Sequence, residues 1–407
     1  MDGAGAVAAA GGEERGQERF VRDSTTWLAY LTVAYLLFIE SALGPIMPSL
    51  RAQMGMSYTL ASLHFSAPAF GGMMTGWIGD KIARRIGRRR TFWVGVIGIT
   101  CGGGLLVGGR WIPMTIGGAL LIGGFGALIS IVMQAYLADE YVNHRPKVMS
   151  EFNMAASFGA VLVAFVIGFA ERTGLGWRAA MVAVMVLISL ALFKMREVPI
   201  GERMPYHVHR RGKPAPLPRV FWICCVVASL SAATEWGFAF WGADFLHQVA
   251  GFSTASSSVA MSAFFIAMVS GRYAGSHIGH RFNSIDVLVV AFVIGATGFM
   301  LFWLAPAGVV RVGGLFLAGL GIANVYPYIA SIATDLAPGR ADVAMAKLLW
   351  TGSLAILLSP FILGVLGDAI GIKRGFGVLA PLLIIALLGT FVLRPEINRV
   401  LAVDPAR

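Results

Sequence analysis

From Trp27 to Leu393 the chain alternates apolar runs of roughly twenty residues with short breaks of charge, glycine and proline. A helix rises ~1.5 Å per residue, so each run is long enough to cross a hydrocarbon layer ~30 Å thick. The runs fall near 27–47, 57–79, 91–109, 112–138, 148–170 and 177–194, then near 219–243, 254–278, 285–304, 308–334, 343–367 and 375–393. None alternates with a period of two, which excludes a membrane β-barrel. The pattern predicts an all-α membrane protein with twelve transmembrane helices, six on each side of a polar stretch.

That stretch, KMREVPIGERMPYHVHRRGKPAPLPR, runs from Lys194 to Arg219 and is rich in proline, which marks a linker over 195–218. The organisation expected is a disordered tail over 1–22, a six-helix bundle over 23–194, the linker, a second bundle over 219–394 and a tail over 395–407. The first 22 residues contain no apolar core, so no cleaved signal peptide is expected.

Composition agrees with this pattern. Of 407 residues 57% are apolar and 13% charged, with a mean hydropathy of +0.75, whereas a soluble domain carries about 25% charge. The net charge of +11 would suit nucleic acid, but the basic residues gather in the tails, the linker and alternate connections. The opposite connections hold only Arg51, Arg110, Arg172, Arg178, Arg311, Lys373 and Arg374. By the positive-inside rule this puts both termini in the cytoplasm and makes the charge a matter of topology, with the lipid bilayer as partner and no nucleic acid. Cys101, Cys224 and Cys225 all fall inside apolar runs and read as small packing residues, with neither disulfide nor metal site. No nucleophile, metal cluster or nucleotide signature is present, so neither an enzyme nor a cofactor is expected.

The two sets of six runs can be superposed. GWIGDKI at 76–82, after the second run, aligns without a gap on SHIGHRF at 276–282, after the eighth. Ile78 and Gly79 match Ile278 and Gly279, Lys81 matches Arg281, and GG at 71–72 matches GR at 271–272. Two related halves imply a pseudo-twofold axis and a binding site between them. Gly76, Asp80, Lys81, Gly87, Arg88 and Arg89 resemble the signature loop of the major facilitator superfamily, which has a glycine, an acid four residues on, a base, then glycine and two bases. The sequence departs from it by IARR inserted after Lys81, and the second copy has His280 where the acid would stand.

The resemblance covers nearly the whole chain. It implies the major facilitator fold, two pseudo-symmetric six-helix bundles working by alternating access, in a prokaryotic inner or plasma membrane with a monomer sufficient. It also implies that Gly76, Asp80, Lys81, Gly87, Arg88 and Arg89 form a cytoplasmic gate. GLGIANVYPYIASIAT (319–334), SPFILGVLGDAIG (359–371) and ATEWGFAFW (233–241) are similar to the fucose-permease-like group of solute:proton transporters.

Charge inside lipid is expensive, so each ionisable residue in a span is a functional candidate. Glu40 in the first span and Glu235 in the seventh are candidate proton carriers, because a carboxylate withdrawn from water can load and release a proton near neutral pH. A structural ion pair or cap is the alternative for each. Arg272 and Lys347 are candidate ligands for an anionic group, with snorkelling to the interface as the alternative. In the tenth span Asn324, Tyr328, Ser331 and Asp335 recur on one helical face, and in the fourth Ser130 and Gln134 share another. Tyr35, Trp236, Trp241 and Tyr326 offer stacking surfaces, while His64 and Asn153 are equally well read as packed polar residues.

The function expected is secondary transport of a small polar solute, coupled to protons. An organic-anion carrier using Arg272 and Lys347 is the alternative. A multidrug:proton antiporter is a lower one, since EFNMAASFGAVLVAFVIGFAE in the fifth span lacks the Gly-Pro pair of that group.

Overall fold

In a computed structural model, which describes residues 21–201, 217–278, 282–337 and 340–403, the chain is helical almost throughout. The helices before residue 195 are α1 (Ser24–Ser41), α2 (Leu43–Met54), α3 (Tyr58–Ile86), α4 (Arg88–Gly108), α5 (Ile112–Glu140), α6 (Arg145–Arg172) and α7 (Gly176–Lys194). Those after 216 are α8 (Arg219–Ala250), α9 (Thr254–Ile278), α10 (Ser284–Leu304), α11 (Gly308–Ile322), α12 (Val325–Asp335), α13 (Ala341–Ile370), α14 (Ile372–Phe376) and α15 (Leu379–Val403). Three pairs, α1 with α2, α11 with α12 and α14 with α15, each share one crossing, which gives six crossings on either side of the linker. Eleven of the crossings are long and apolar enough to span a membrane among the described residues. The twelfth, α3, is 29 residues long and more polar. The tails over 1–20 and 404–407, most of the linker (202–216) and the second signature copy at Gly279, His280 and Arg281 lie outside the described residues.

The interruptions have local causes. Pro45 has no N–H to return to Ser41, and the chain steps from α1 to α2 at Ala42. At Gly87 the backbone takes φ 84, a region that suits glycine, and this turns α3 into α4. The sequence pattern ends the second span near 79 and leaves residues 80–90 as a loop. The structure instead continues α3 to Ile86. The inserted IARR is therefore one further turn of helix, since four residues rotate by ~400° and return to nearly the same face.

The repeat is visible in packing as well as in the loop. Gly98 of α4 and Gly298 of α10 are 200 residues apart, and each sits where its helix touches the next. A Cβ on Gly98 would lie 2.0 Å from the ring of Phe125 in α5, and one on Gly298 would lie 2.2 Å from the backbone nitrogen of Ala318 in α11. Small residues let membrane helices approach this closely.

The first six crossings meet the last six along α2–α8, α3–α13 and α6–α9. A Cβ on Gly44 would lie 2.1 Å from the Ala239 carbonyl oxygen across that seam. Ser258 Oγ donates to the Pro45 carbonyl at 2.9 Å and Ser66 Oγ donates to that of Leu357 at 2.7 Å. One end of the bundle carries the start of α1 and both borders of the linker; we call it the terminal end, and the other the far end. At the far end the seam is closed. Arg51 pairs with Asp244, and Asp368 receives the first two N–H groups of α3, both across the halves.

Candidate functional site

Between the halves lies a cavity of about 1240 Å³ with an inner recess of about 250 Å³. Its wall at the terminal end comes from the first turns of α6 (Ser150, Asn153), the last turns of α9 (Arg272, Gly275), α12 and the first half of α13. The recess reaches Ser41, Ser130 and Gln134 on one side and Phe240 on the other. The cavity therefore opens at the terminal end and is shut at the far end. Glu235, Trp236, Asn153, Ser157 and Arg272 line both the cavity and its recess.

On that shared wall Arg272 Nη2 stands 3.5 Å from Glu235 Oε1, with side chains 46% and 24% exposed. This distance is long for a charge-assisted hydrogen bond, which closes to ~2.8 Å. Near the terminal end Arg22 reaches Glu151 with two nitrogens at 2.8 and 2.7 Å, which is what a committed pair looks like. The Glu235–Arg272 pair is loose and open to the cavity, so a ligand or a proton can compete for either member.

Of the residues singled out in the sequence, Glu235, Arg272, Trp236 and Gln134 meet at this wall or its recess. Asn324 and Tyr328 also line the cavity, but their polar groups are engaged. Asn324 Nδ2 donates to the Gly271 carbonyl at 2.5 Å and Tyr328 Oη to that of Gly275 at 3.0 Å, and the two fasten α12 to α9. Both lie just past the break in this span, for α11 ends at Ile322, Asn324 is the N-cap of α12 and Tyr328 stands one turn along it. Tyr326, also on the cavity wall, has a buried hydroxyl without a hydrogen-bond partner among the described residues.

Several candidates are not brought to the cavity wall, Trp241 among them, whose buried indole donates to the Pro360 carbonyl at 3.1 Å. Tyr35 is buried within the first half, its hydroxyl 3.1 Å from Thr100 Oγ1. Glu40 is off the cavity face of α1, which is marked by Val33, Leu37 and Ser41. It shares the helical column of Leu36, which packs onto Gly126 of α5. Lys347 is exposed on α13, two residues and so ~200° away from the lining Leu349, Gly352, Ser353 and Ile356. Nor does His64 serve the cavity, since its Nε2 is 2.8 Å from Thr115 Oγ1 in the packing of α3 on α5.

At the terminal end of α3 and α4, Gly76 faces open space and Lys81 is exposed, while the side chain of Asp80 lies outside the described residues. Arg88 is buried and pairs with Asp139 at 2.5 Å, and Arg89 donates to the Arg196 carbonyl at 2.8 Å. Asp139 did not stand out in the sequence, where it is one of two acids closing an apolar run. The same holds for Arg51, Asp244 and Asp368, each of which sits at or just beyond the edge of a run, where charge is ordinary.

Comparison with known proteins agrees with this geometry. A family model described as Major Facilitator Superfamily matches residues 27–341. An uncharacterised MFS-type transporter of Yersinia pestis is 25% identical over 266 residues, covering 64% of this chain and 68% of that protein. Among solved structures, a bacterial homologue of the human lysosomal transporter Spinster, in an inward-facing and occupied conformation, superposes with a TM-score of 0.79 at 15% identity, covering 94% of this chain and 99% of that one. A D-xylose–proton symporter superposes with a TM-score of 0.73 at 14% identity, covering 91% and 96%.

Proposed function

The chain belongs to the major facilitator superfamily of membrane transporters, and from that premise we propose that it carries a small polar solute by alternating access, with a proton as the coupling ion. The observation that carries this reading is the loose, cavity-facing pair of Glu235 and Arg272. A proton taken up by Glu235 removes the counter-charge of Arg272. The guanidinium, a planar fork with donors left over, then takes an anionic group of the solute. Loss of the solute on the other side lets Glu235 release its proton and restore the pair. Binding of solute and proton is thereby linked in one site, which is what symport requires.

The accessible Arg272 favours a solute bearing a carboxylate or a comparable anion, with Trp236 as its stacking surface and Gln134, Ser130 and Asn153 as polar contacts. This anion reading rests on Arg272 alone, since Lys347 does not line the cavity. The halves over 23–194 and 219–394 would rock about the seam, with both termini and the open mouth on the cytoplasmic side of a prokaryotic inner or plasma membrane. A monomer suffices. The signature segment, through Asp80 and Arg88, would close that mouth in the opposite state.

Reconstitution tests the reading. In proteoliposomes with an imposed proton gradient, a panel of small labelled carboxylates and neutral polyols should reveal a solute that accumulates. Glu235→Gln should lose gradient-driven accumulation and keep solute counterflow. Accumulation that persists in Glu235→Gln would sink the coupling role.

A further inference from the structure

The far end is closed by contacts that converge on one residue, through its backbone and its side chain. Asp368 of α13 accepts from the backbone N–H of Tyr58 with one oxygen and from that of Thr59 with the other, both at 2.8 Å. Those are the first two orphan donors of α3, and a carboxylate there is favoured by the helix dipole. The ring of Tyr58 carries the guanidinium of Arg51 at 4.0 Å, and its hydroxyl accepts from Arg51 Nη2 at 3.3 Å. Arg51 in turn holds Asp244 of α8 with two nitrogens, at 3.3 and 3.4 Å. Asp244 is fully buried, so it needs that partner. Gly364 and Gly367 let α13 close on Tyr58, for a Cβ on either would lie within 2.9 Å of it.

Tyr58 is also joined to the cavity. Its ring packs on Trp241 at 5.6 Å, Trp241 meets Phe65 edge-on at 4.9 Å, and Phe65 stacks on Phe240 across the seam at 4.5 Å and 8°. Phe240 touches Trp236 at 4.9 Å, and both line the recess. An unbroken run of aromatic contacts thus leads from the solute wall to the closed end.

We infer that Tyr58 is the positioning residue of the far-end gate, which it holds shut through Asp368 and through Arg51–Asp244. The first half supplies Tyr58, Arg51 and the N–H groups, and the second supplies both carboxylates, so the halves cannot part there without giving up the Asp368 cap and the Arg51–Asp244 pair. A separate seam between α6 and α9 is bridged by Glu171, which receives Ser49, Trp177 N–H and Thr254. It does not involve Tyr58 and acts as a second fastening. The inference rests on the alternating-access reading above.

The test is a pair of distances in one sample. In full-length protein with Cys101, Cys224 and Cys225 replaced by alanine, spin labels at Ala52 and Gln248, both exposed, report the far end. Labels at Met154 and Leu349 report the cavity mouth. In lipid nanodiscs, Asp244→Asn combined with Asp368→Ala should lengthen the far-end distance by on the order of a helix diameter, ~10 Å, and shorten the mouth. Tyr58→Phe should shift a smaller share of molecules the same way.

Far-end distances equal to wild type in the double variant, at wild-type thermal stability, would overturn the gate. If the double variant does not fold, Tyr58→Phe decides, because it deletes one hydroxyl and an unchanged distribution removes the role of Tyr58. If the far end lengthens while the mouth stays as wide as before, the gate stands and alternating access falls.

Discussion

Arg272 and Lys347 looked equivalent as cations inside apolar runs, and they part company on two degrees of freedom that a sequence does not display. One is the side of the helix, which puts Lys347 ~200° from the lining positions of α13. The other is the partner, which for Arg272 is Glu235. The hydropathy rule marks Glu235, since an acid in lipid must have a reason; its distance to Arg272 depends on how α8 packs on α9. If the guanidinium fork holds the solute, Arg272→Lys should lower uptake about tenfold, ~1.4 kcal/mol, seen as a raised KM for an anionic solute. Unchanged kinetics would leave Arg272 only a structural partner of Glu235. Arg88 makes the opposite kind of pair, a short contact between a buried guanidinium and the half-buried Asp139. Asp139→Ala removes a short charge-assisted contact from a buried guanidinium and should cost about 1–3 kcal/mol of stability, read as a lower melting temperature of the purified protein.

Helices were legible where length and charge agree, because a run of apolar residues in lipid has no other way to satisfy its backbone. Their internal breaks were less so. Window averages pass over Ala42 and the Ala323–Asn324 step, although Pro45 announces the first of these. The extra turn of α3 was hidden by its arginines, which look like loop and are a solvated helix end. Close packing shows in the sequence only as an excess of glycine. The structure separates Gly298, where a methyl group would meet the backbone of α11, from Gly104, which faces open space. Gly298→Ala should therefore lower the melting temperature, at a cost of roughly 1–3 kcal/mol, and Gly104→Ala should leave it unchanged. Equal melting of the two variants would mean that α10 can slide without loss.

At the scale of the whole molecule, twofold repetition was readable in one segment, while the contacts that decide which end is closed were not. Tyr58 and Asp368 stand 310 residues apart and belong to different halves, so no local pattern relates them. The pairing of a proton with a singly charged anion at Glu235 and Arg272 predicts that each cycle moves no net charge. Uptake should then track a pH gradient and ignore a potassium diffusion potential; a potential alone that drives accumulation would contradict the one-proton, one-anion cycle. Asp80→Asn should slow solute exchange without altering affinity if the signature segment closes the mouth, and an unaltered exchange rate would remove it from that role.

The two carboxylates at the far end differ in one respect with a consequence of its own. Asp244 is sealed from solvent, whereas Asp368 is exposed where it caps α3. At physiological ionic strength the Debye length is ~8 Å, so mobile ions weaken the exposed contact and hardly reach the sealed one. Rising salt in the compartment that bathes the far end should loosen the Asp368 contact more than the Asp244 one, which makes the carrier's turnover sensitive to the ionic strength of that compartment.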